Sequence, residues 1–330
     1  MDIKTVGVVG LGLLGRGIAA CLLGHGFRVV AHARRQAVHD EAREYIARAI
    51  QDLVERAGFS VDLPAQWPAR YVPVDSLESL AGCDFVIESV AEALAAKQDV
   101  FERLEAVLGP HVPIASNTSS LPITRLQRDR KHPERFLGMH WAQPAHVTRF
   151  MELIRGEQTS DEALAAAAGL ARAGGKQPCL VQQDLPGFLF NRIAYAMYRE
   201  ALHLLELGVA DIETIDRACR NALGLVATLS GPFRWIDLSG GPALYGKAMQ
   251  RVLPSLSRAT ELPRTLQELM DRDAQGIANG RGFYEYTEEE TRQWEQRSAE
   301  HAWDVRELMN RYDDEEPIPE ARRTSEEDEP

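Results

Sequence analysis

Val6-Gly-Val-Val-Gly-Leu-Gly-Leu-Leu-Gly-Arg-Gly17 is the stretch that decides the fold, because it sets Gly10, Gly12 and Gly15 in G-x-G-x-x-G spacing directly behind an apolar run. Val6 to Val9 reads as a buried strand, Leu13 to Leu23 as the helix after it, and Phe27 to Ala31 as a second strand. Strand, turn, helix and strand thus fall in order within about 30 residues, the context that separates a dinucleotide site from a chance glycine loop. Gly10 permits the tight turn, Gly12 lets a pyrophosphate approach the backbone, and Gly15 lets helix and strand pack closely. The N–H groups opening the helix face the phosphates, so Gly10, Gly12, Leu13, Leu14 and Gly15 form the first cofactor set.

The second strand runs on as Val29-Val30-Ala31-His32-Ala33-Arg34-Arg35, with no carboxylate where an acid normally holds the ribose hydroxyls of NAD. Ala33 leaves room for a 2′-phosphate, and Arg34 or Arg35 offers it a forked, charge-assisted pair, which suits NADP. Equally, the arginines can form a solvated loop on an NAD site. Both cofactors stay open at this point.

Outward from the motif, the strand patterns Tyr71 to Val74, Phe85 to Ser89, Pro113 to Ala115 and Phe136 to Met139 alternate with helical stretches. Met151 to Ile154 and Cys179 to Gln182 add two more strands. This is the α/β pattern of an N-terminal Rossmann-type doubly wound sheet. Val38 to Arg56, with apolar residues at Tyr45, Ile46, Ile50, Leu53 and Val54, predicts an amphipathic helix projecting from the sheet. The pattern breaks near Asp184-Leu-Pro-Gly187 and turns helical, interrupted by Gly231-Pro232 and by the aromatic segment Gly280 to Tyr286, before a charged helix from Glu288 to about Asn310. The expected division is 1–183 dinucleotide-binding, 184–310 an all-helical substrate and dimerisation domain, and 311–330 a disordered acidic tail.

Composition limits the partners. The chain has 330 residues, 45% hydrophobic and 26% charged, enough for two packed domains. Of its formal charge of −12, the last 18 residues carry −7, with nine acids and two arginines, so the body offers no basic footprint for nucleic acid. Cys21, Cys83, Cys179 and Cys219 lack C-x-x-C spacing and read as structural thiols in a reducing cytoplasm. The nine histidines give no H-x-x-x-H spacing with a nearby acid, so no metal is expected. The apolar start is explained by strand and helix rather than by an export signal, and no membrane partner is expected.

A series of segments then carries a family resemblance. Ala81-Gly-Cys-Asp-Phe-Val-Ile-Glu-Ser-Val-Ala-Glu92, Lys97, Ser116-Asn-Thr-Ser-Ser-Leu121, Gly138-Met-His-Trp-Ala-Gln-Pro144, Met151-Glu-Leu-Ile154, Asp184-Leu-Pro-Gly-Phe-Leu-Phe-Asn-Arg192, Gly231-Pro232 and Gly282-Phe-Tyr-Glu-Tyr286 stand in the order found in the 3-hydroxyacyl-CoA dehydrogenase superfamily, which residues 3 to 287 resemble. His140 follows an apolar strand at the edge where open α/β sheets place ligands, and a return past Pro144 can bring Glu152 to one imidazole nitrogen. Such a pair is a base and its orienter.

By the resemblance, Ser119 and Asn191 contact the reacting oxygen, while Glu92, Lys97 and Asn117 lie near the nicotinamide and its ribose. Glu92 and Lys97 can also be read as an exposed pair on a helix. Trp141, Ala142 and Gln143 depart from the family's two aromatics and Asn. Asn191 to Tyr198 with Glu200, and Leu223-Gly-Leu225, resemble the lambda-crystallin and L-gulonate 3-dehydrogenase branch.

The resemblance implies a homodimeric NAD(P)-dependent oxidoreductase acting on a 3-hydroxyacyl-CoA of 3-hydroxybutyryl type, in fatty acid metabolism. A free 3-hydroxy acid such as L-gulonate or carnitine is the alternative, and a non-catalytic crystallin-like protein a more distant one. CoA phosphates need basic or amide groups near residues 45–70, where Arg48, Arg56 and Arg70 stand without a lysine.

Overall fold

The computed structural model describes residues 2–312, so the tail read from the sequence lies almost wholly outside the described residues. Eight strands form one sheet: β1 (Thr5–Val9), β2 (Arg28–His32), β3 (Tyr71–Val74), β4 (Phe85–Glu88), β5 (Ile114–Ser116), β6 (Phe136–Trp141), β7 (Phe150–Ile154) and β8 (Gln177–Val181). Their order is β3-β2-β1-β4-β5-β6-β7-β8. Pairing is parallel from β3 through β6, antiparallel between β6 and β7, and parallel again to β8. Order reverses between β1 and β4, which makes their carboxyl ends the switch point where such sheets bind ligands.

Central strands are buried on both faces, as β4 and β6 are along their whole length, which accounts for their continuous apolar runs. Helix α1 (Leu13–Gly24) buries eight of its twelve residues against the sheet. Helix α2 (Gln36–Ala57) does not project as its charge suggested. Ala42, Ile46, Ala49, Ile50 and Leu53 form one buried stripe in the same core as Leu22 and Leu23 of α1, with Tyr45 and Val54 half-buried on the flank. Contact is close enough that a Cβ on Gly24 would lie 2.6 Å from Leu53 Cδ1.

The described residues form two compact units: residues 2–210 together with Ser257–Trp303, and Asp211–Leu256 together with residues 304–312. Past Asp184 the chain stays with the first unit as far as Ala210. The reason is local: the helix Phe190–Glu206 is fastened to the sheet by the backbone N–H groups of Leu189 and Phe190, which donate to the Glu152 carboxylate at 3.0 and 2.8 Å. In the second unit the helices Ile212–Ala218, Gly224–Leu229, Pro232–Leu238 and Gly241–Val252 bury no side chain.

None of the four cysteines is in a disulfide; Cys21 and Cys83 are buried, while Cys179 is exposed on β8, the last strand of the sheet. Among the described residues no helix is long and apolar enough to cross a membrane, and no cluster of three or more His, Cys, Asp or Glu can hold a metal ion.

Candidate active site

The glycine turn fits a dinucleotide for reasons internal to the fold. Gly10 has φ +94°, and a Cβ there would lie 2.6 Å from the Ser89 carbonyl oxygen. A Cβ on Gly15 would lie 1.8 Å from the Gly10 carbonyl oxygen, so helix and turn admit only glycine at both places. Around Gly12 there is nothing within 4 Å, so its missing side chain leaves an open cradle. The first bond of α1 is Arg16 N–H to the Gly12 carbonyl at 3.0 Å, which leaves the preceding Leu13, Leu14 and Gly15 N–H groups at the helix opening for an anion. At the end of β2, Ala33 is buried while Arg34 and Arg35 are exposed. Ala33 is pinned by its N–H to the Val74 carbonyl at 3.1 Å and by its own carbonyl to His39 Nε2 at 3.1 Å.

The sheet edge explains how His140 and Glu152 meet. They are register partners on the antiparallel pair β6–β7, so the return past Pro144 sets them side by side. His140 Nδ1 lies 2.7 Å from Glu152 Oε2, and Glu152 is fully buried. The carboxylate accepts, so Nδ1 carries the proton and Nε2 keeps its lone pair as the basic nitrogen. No hydrogen bond among the described residues engages Nε2. The other oxygen of Glu152 takes the Leu189 and Phe190 N–H groups, so one carboxylate orients the imidazole and caps the helix that carries Asn191.

Phe188 closes the imidazole on one side and Phe150 on another, each 6.0 Å from it between ring centroids. Gly187 and Phe188 both adopt left-handed backbone, φ +81° and +52°. That turn folds the buried Phe188 ring inward while aiming the next two N–H groups at Glu152, and a non-glycine residue there costs about 1 kcal/mol or more of strain.

Asn191 Nδ2 donates to the Ser119 carbonyl at 3.1 Å, so the two residues assigned to the reacting oxygen are brought together. Ser119 belongs to a loop gathered by one carboxylate: Glu92 Oε1 accepts from the Thr118 hydroxyl at 2.6 Å and from the Ser119 N–H, Ser120 N–H and Ser120 hydroxyl, each at 3.0 Å. Burial pushes the Glu92 carboxyl up, but the Thr118 hydroxyl, the Lys97 ammonium and the Ser120 and Ser119 N–H groups together hold it below the usual carboxylate range.

Lys97 is not an exposed partner of Glu92. It is fully buried, bonded to both oxygens of Glu88 at 2.8 and 3.0 Å, with Glu92 farther away at 3.4 Å. Glu88, likewise fully buried, also accepts from the Ser116 hydroxyl at 2.6 Å and the Val90 N–H at 2.7 Å. Asn117 spends its carboxamide on protein, donating to Ser89 Oγ and accepting from Trp141 N–H, each at 3.0 Å.

Sequence reasoning gave Glu88, Ser116, Phe150 and Phe188 no role. A signal existed for one: a carboxylate ending the apolar strand Phe85-Val-Ile-Glu88 must find a buried cation, since acids are almost never buried unpaired.

Two family models match, the NAD binding domain of 3-hydroxyacyl-CoA dehydrogenase over residues 5–185 and its C-terminal domain over residues 187–286. A crystal structure of 5-formyl-3-hydroxy-2-methylpyridine 4-carboxylic acid 5-dehydrogenase, an NAD+-dependent dismutase, is 32% identical with a TM-score of 0.87, covering 93% of this chain and 99% of that one. A probable 3-hydroxybutyryl-CoA dehydrogenase of Deinococcus radiodurans is 34% identical, over 85% of this chain and 99% of its own. An L-carnitine dehydrogenase of Burkholderia mallei is also 34% identical, over 85% and 87%.

Proposed function

This chain belongs to the 3-hydroxyacyl-CoA dehydrogenase family, and from that premise we propose that it oxidises a 3-hydroxy group, or reduces the 3-oxo group, with His140 as the acid–base residue. One observation carries the reading: a basic Nε2 without a protein partner on an imidazole whose Nδ1 is 2.7 Å from a buried carboxylate. A nicotinamide dinucleotide held at the Gly10–Gly15 turn would supply the hydride acceptor or donor. In oxidation Nε2 takes the hydroxyl proton, and Glu152 stabilises the resulting imidazolium. In reduction the imidazolium returns it. The Ser119 hydroxyl and the Asn191 amide donate to the reacting oxygen and favour its negative charge in the transition state.

A 3-hydroxyacyl-CoA of 3-hydroxybutyryl type is the first substrate reading. The second, a free hydroxy acid, is favoured by one detail: Arg70 turns its guanidinium inward to the Leu23 carbonyl at 3.1 Å, which leaves only Arg48 and Arg56 exposed where CoA phosphates need cations. Absorbance of reduced cofactor with acetoacetyl-CoA, 3-hydroxybutyrate, L-gulonate and carnitine separates the two. Turnover with none of them sinks the 3-hydroxy assignment.

NADP(H) is taken at least as well as NAD(H). Supporting this, Arg34 and Arg35 stand exposed past the buried Ala33. His32 is held below its ordinary value by burial, against a bond to the Asp75 backbone, with the nearby Arg103 and Arg34 charges adding to the lowering. Ala33→Asp reverses the preference, and Arg34→Ala or Arg35→Ala lowers kcat/KM for NADP(H) only. Strong wild-type preference for NAD(H), untouched by either arginine change, rules NADP out.

The working form is a cytoplasmic homodimer. Supporting assembly, the helix Phe190–Glu206 buries only Ala194, while Phe190, Ile193, Tyr195 and Tyr198 are 48–62% exposed. Sedimentation as a monomer at micromolar concentration contradicts it.

A further inference from the structure

We propose that Asn117 is a positioning residue, which holds the carboxyl end of the catalytic strand β6 in register with the glycine turn, and not a contact to the cofactor. The inference rests on His140 being the base. Its ground is the way the sheet runs out at this edge.

The β5–β6 ladder ends at the pair Ser116 and Gly138, yet β6 continues through Met139, His140 and Trp141. On that side the strand has lost its neighbour just where it carries the base. Asn117 replaces the missing rung: its Oδ1 accepts from Trp141 N–H at 3.0 Å, as a peptide carbonyl of β5 would. Its own N–H continues the opposite ladder, donating to the Glu88 carbonyl at 2.7 Å. Because Trp141 N–H can only donate, the amide is fixed with Nδ2 toward Ser89 Oγ, also at 3.0 Å.

Ser89 completes the path to the dinucleotide turn. Its N–H donates to the Val9 carbonyl at 2.7 Å, and its carbonyl oxygen fills the place where a Gly10 side chain would stand. Gly10, Ser89, Asn117 and Trp141 thus form one line of contacts from the turn at the end of β1 to the peptide following His140. On its far side β6 is held by β7, through Trp141 against Met151 and His140 against Glu152. Losing Asn117 therefore frees one flank of the base and leaves the other held.

The test compares Asn117→Ala, Asn117→Asp and Ser89→Ala by steady-state kinetics, by pH–rate profile and by fluorescence titration of NADH and NADPH. Asn117→Ala lowers kcat about ten- to a hundredfold, as small misplacements of reacting groups do. It also displaces the pH–rate profile, while cofactor Kd changes by less than about threefold, under 1 kcal/mol. Asn117→Asp keeps an acceptor for Trp141 N–H and can accept from the Ser89 hydroxyl, so it restores most of kcat. Ser89→Ala keeps the rung and loses least.

A cofactor contact gives the opposite pattern. Cofactor Kd then rises tenfold or more in Asn117→Ala and further in Asn117→Asp, whose charge repels the phosphates, with kcat little changed; that result overturns the proposal. So does an unaltered kcat and pH profile in Asn117→Ala. If that variant does not fold, Asn117→Asp and Ser89→Ala decide by the same readouts. His140→Gln run alongside keeps the questions apart, since wild-type turnover there removes the base assignment itself.

Discussion

Glu152 and Glu88 are both fully buried carboxylates of one sheet, and they are spent in opposite ways. Glu88 faces Lys97, whose ammonium bonds both of its oxygens in a fully buried ion pair. Ser116 and the Val90 N–H occupy what remains of it. Glu152 faces a histidine, the side-chain type suited to take and return a proton. The remaining oxygen of Glu152 is held by a helix N-terminus, a fixed dipole that does not titrate. Identical side chains thus make a scaffold on β4 and a proton station on β7, and the partner decides which.

The largest way to break this contrast is Glu152→Gln. Leu189 and Phe190 N–H groups require an acceptor, so the amide oxygen is drawn to them and the NH2 is left facing His140 Nδ1. That donor demands a lone pair on Nδ1 and moves the ring proton to Nε2, where a base is needed. We expect kcat to fall about 10³–10⁴-fold, as wrong-tautomer substitutions do in triads, with cofactor Kd unchanged. Turnover near the wild-type rate breaks the pairing.

Lys97→Met sharpens the scaffold side. It leaves the Glu88 carboxylate buried without a cation and costs about 3–5 kcal/mol of stability, read from denaturant unfolding. Replacing both, Glu88→Gln with Lys97→Met, recovers most of that loss. A single variant as stable as wild type means that the pair is not the scaffold described.

Smallest is the effect of Glu92. Its folded carboxyl is held below the ordinary value, so its contribution to stability is complete above about pH 4.3 and is lost as pH falls through the lower folded value. The melting-temperature gap between wild type and Glu92→Gln should stay constant from pH 7 to 5 and close only below about pH 4.3. Closure between pH 7 and 6 contradicts the direction of the shift.

Much of this was legible in the chain. Glycine spacing and apolar runs marked every strand to within a residue or two, and the distance from His140 to Glu152 suited the antiparallel return that pairs them. Less legible was where polar side chains end up. The spacing of Glu92 and Lys97 admits an exposed pair, but the end of β4 supplies Glu88 as a nearer anion and draws the lysine inside. Nothing in the sequence tells that β5 stops three residues short of β6, with the Asn117 side chain bonded to Trp141 N–H there. The apolar stripe of α2 was legible, but its packing against α1 was not, since long polar side chains on one face say nothing of how closely the other packs.

The most direct test of the central claim is His140→Gln, assayed for kcat/KM on the best substrate of the panel and for NADH and NADPH binding by fluorescence. With His140 as the acid–base group, kcat/KM falls about 10²–10⁴-fold while both cofactors bind as in wild type. Wild-type turnover in this variant would contradict the account.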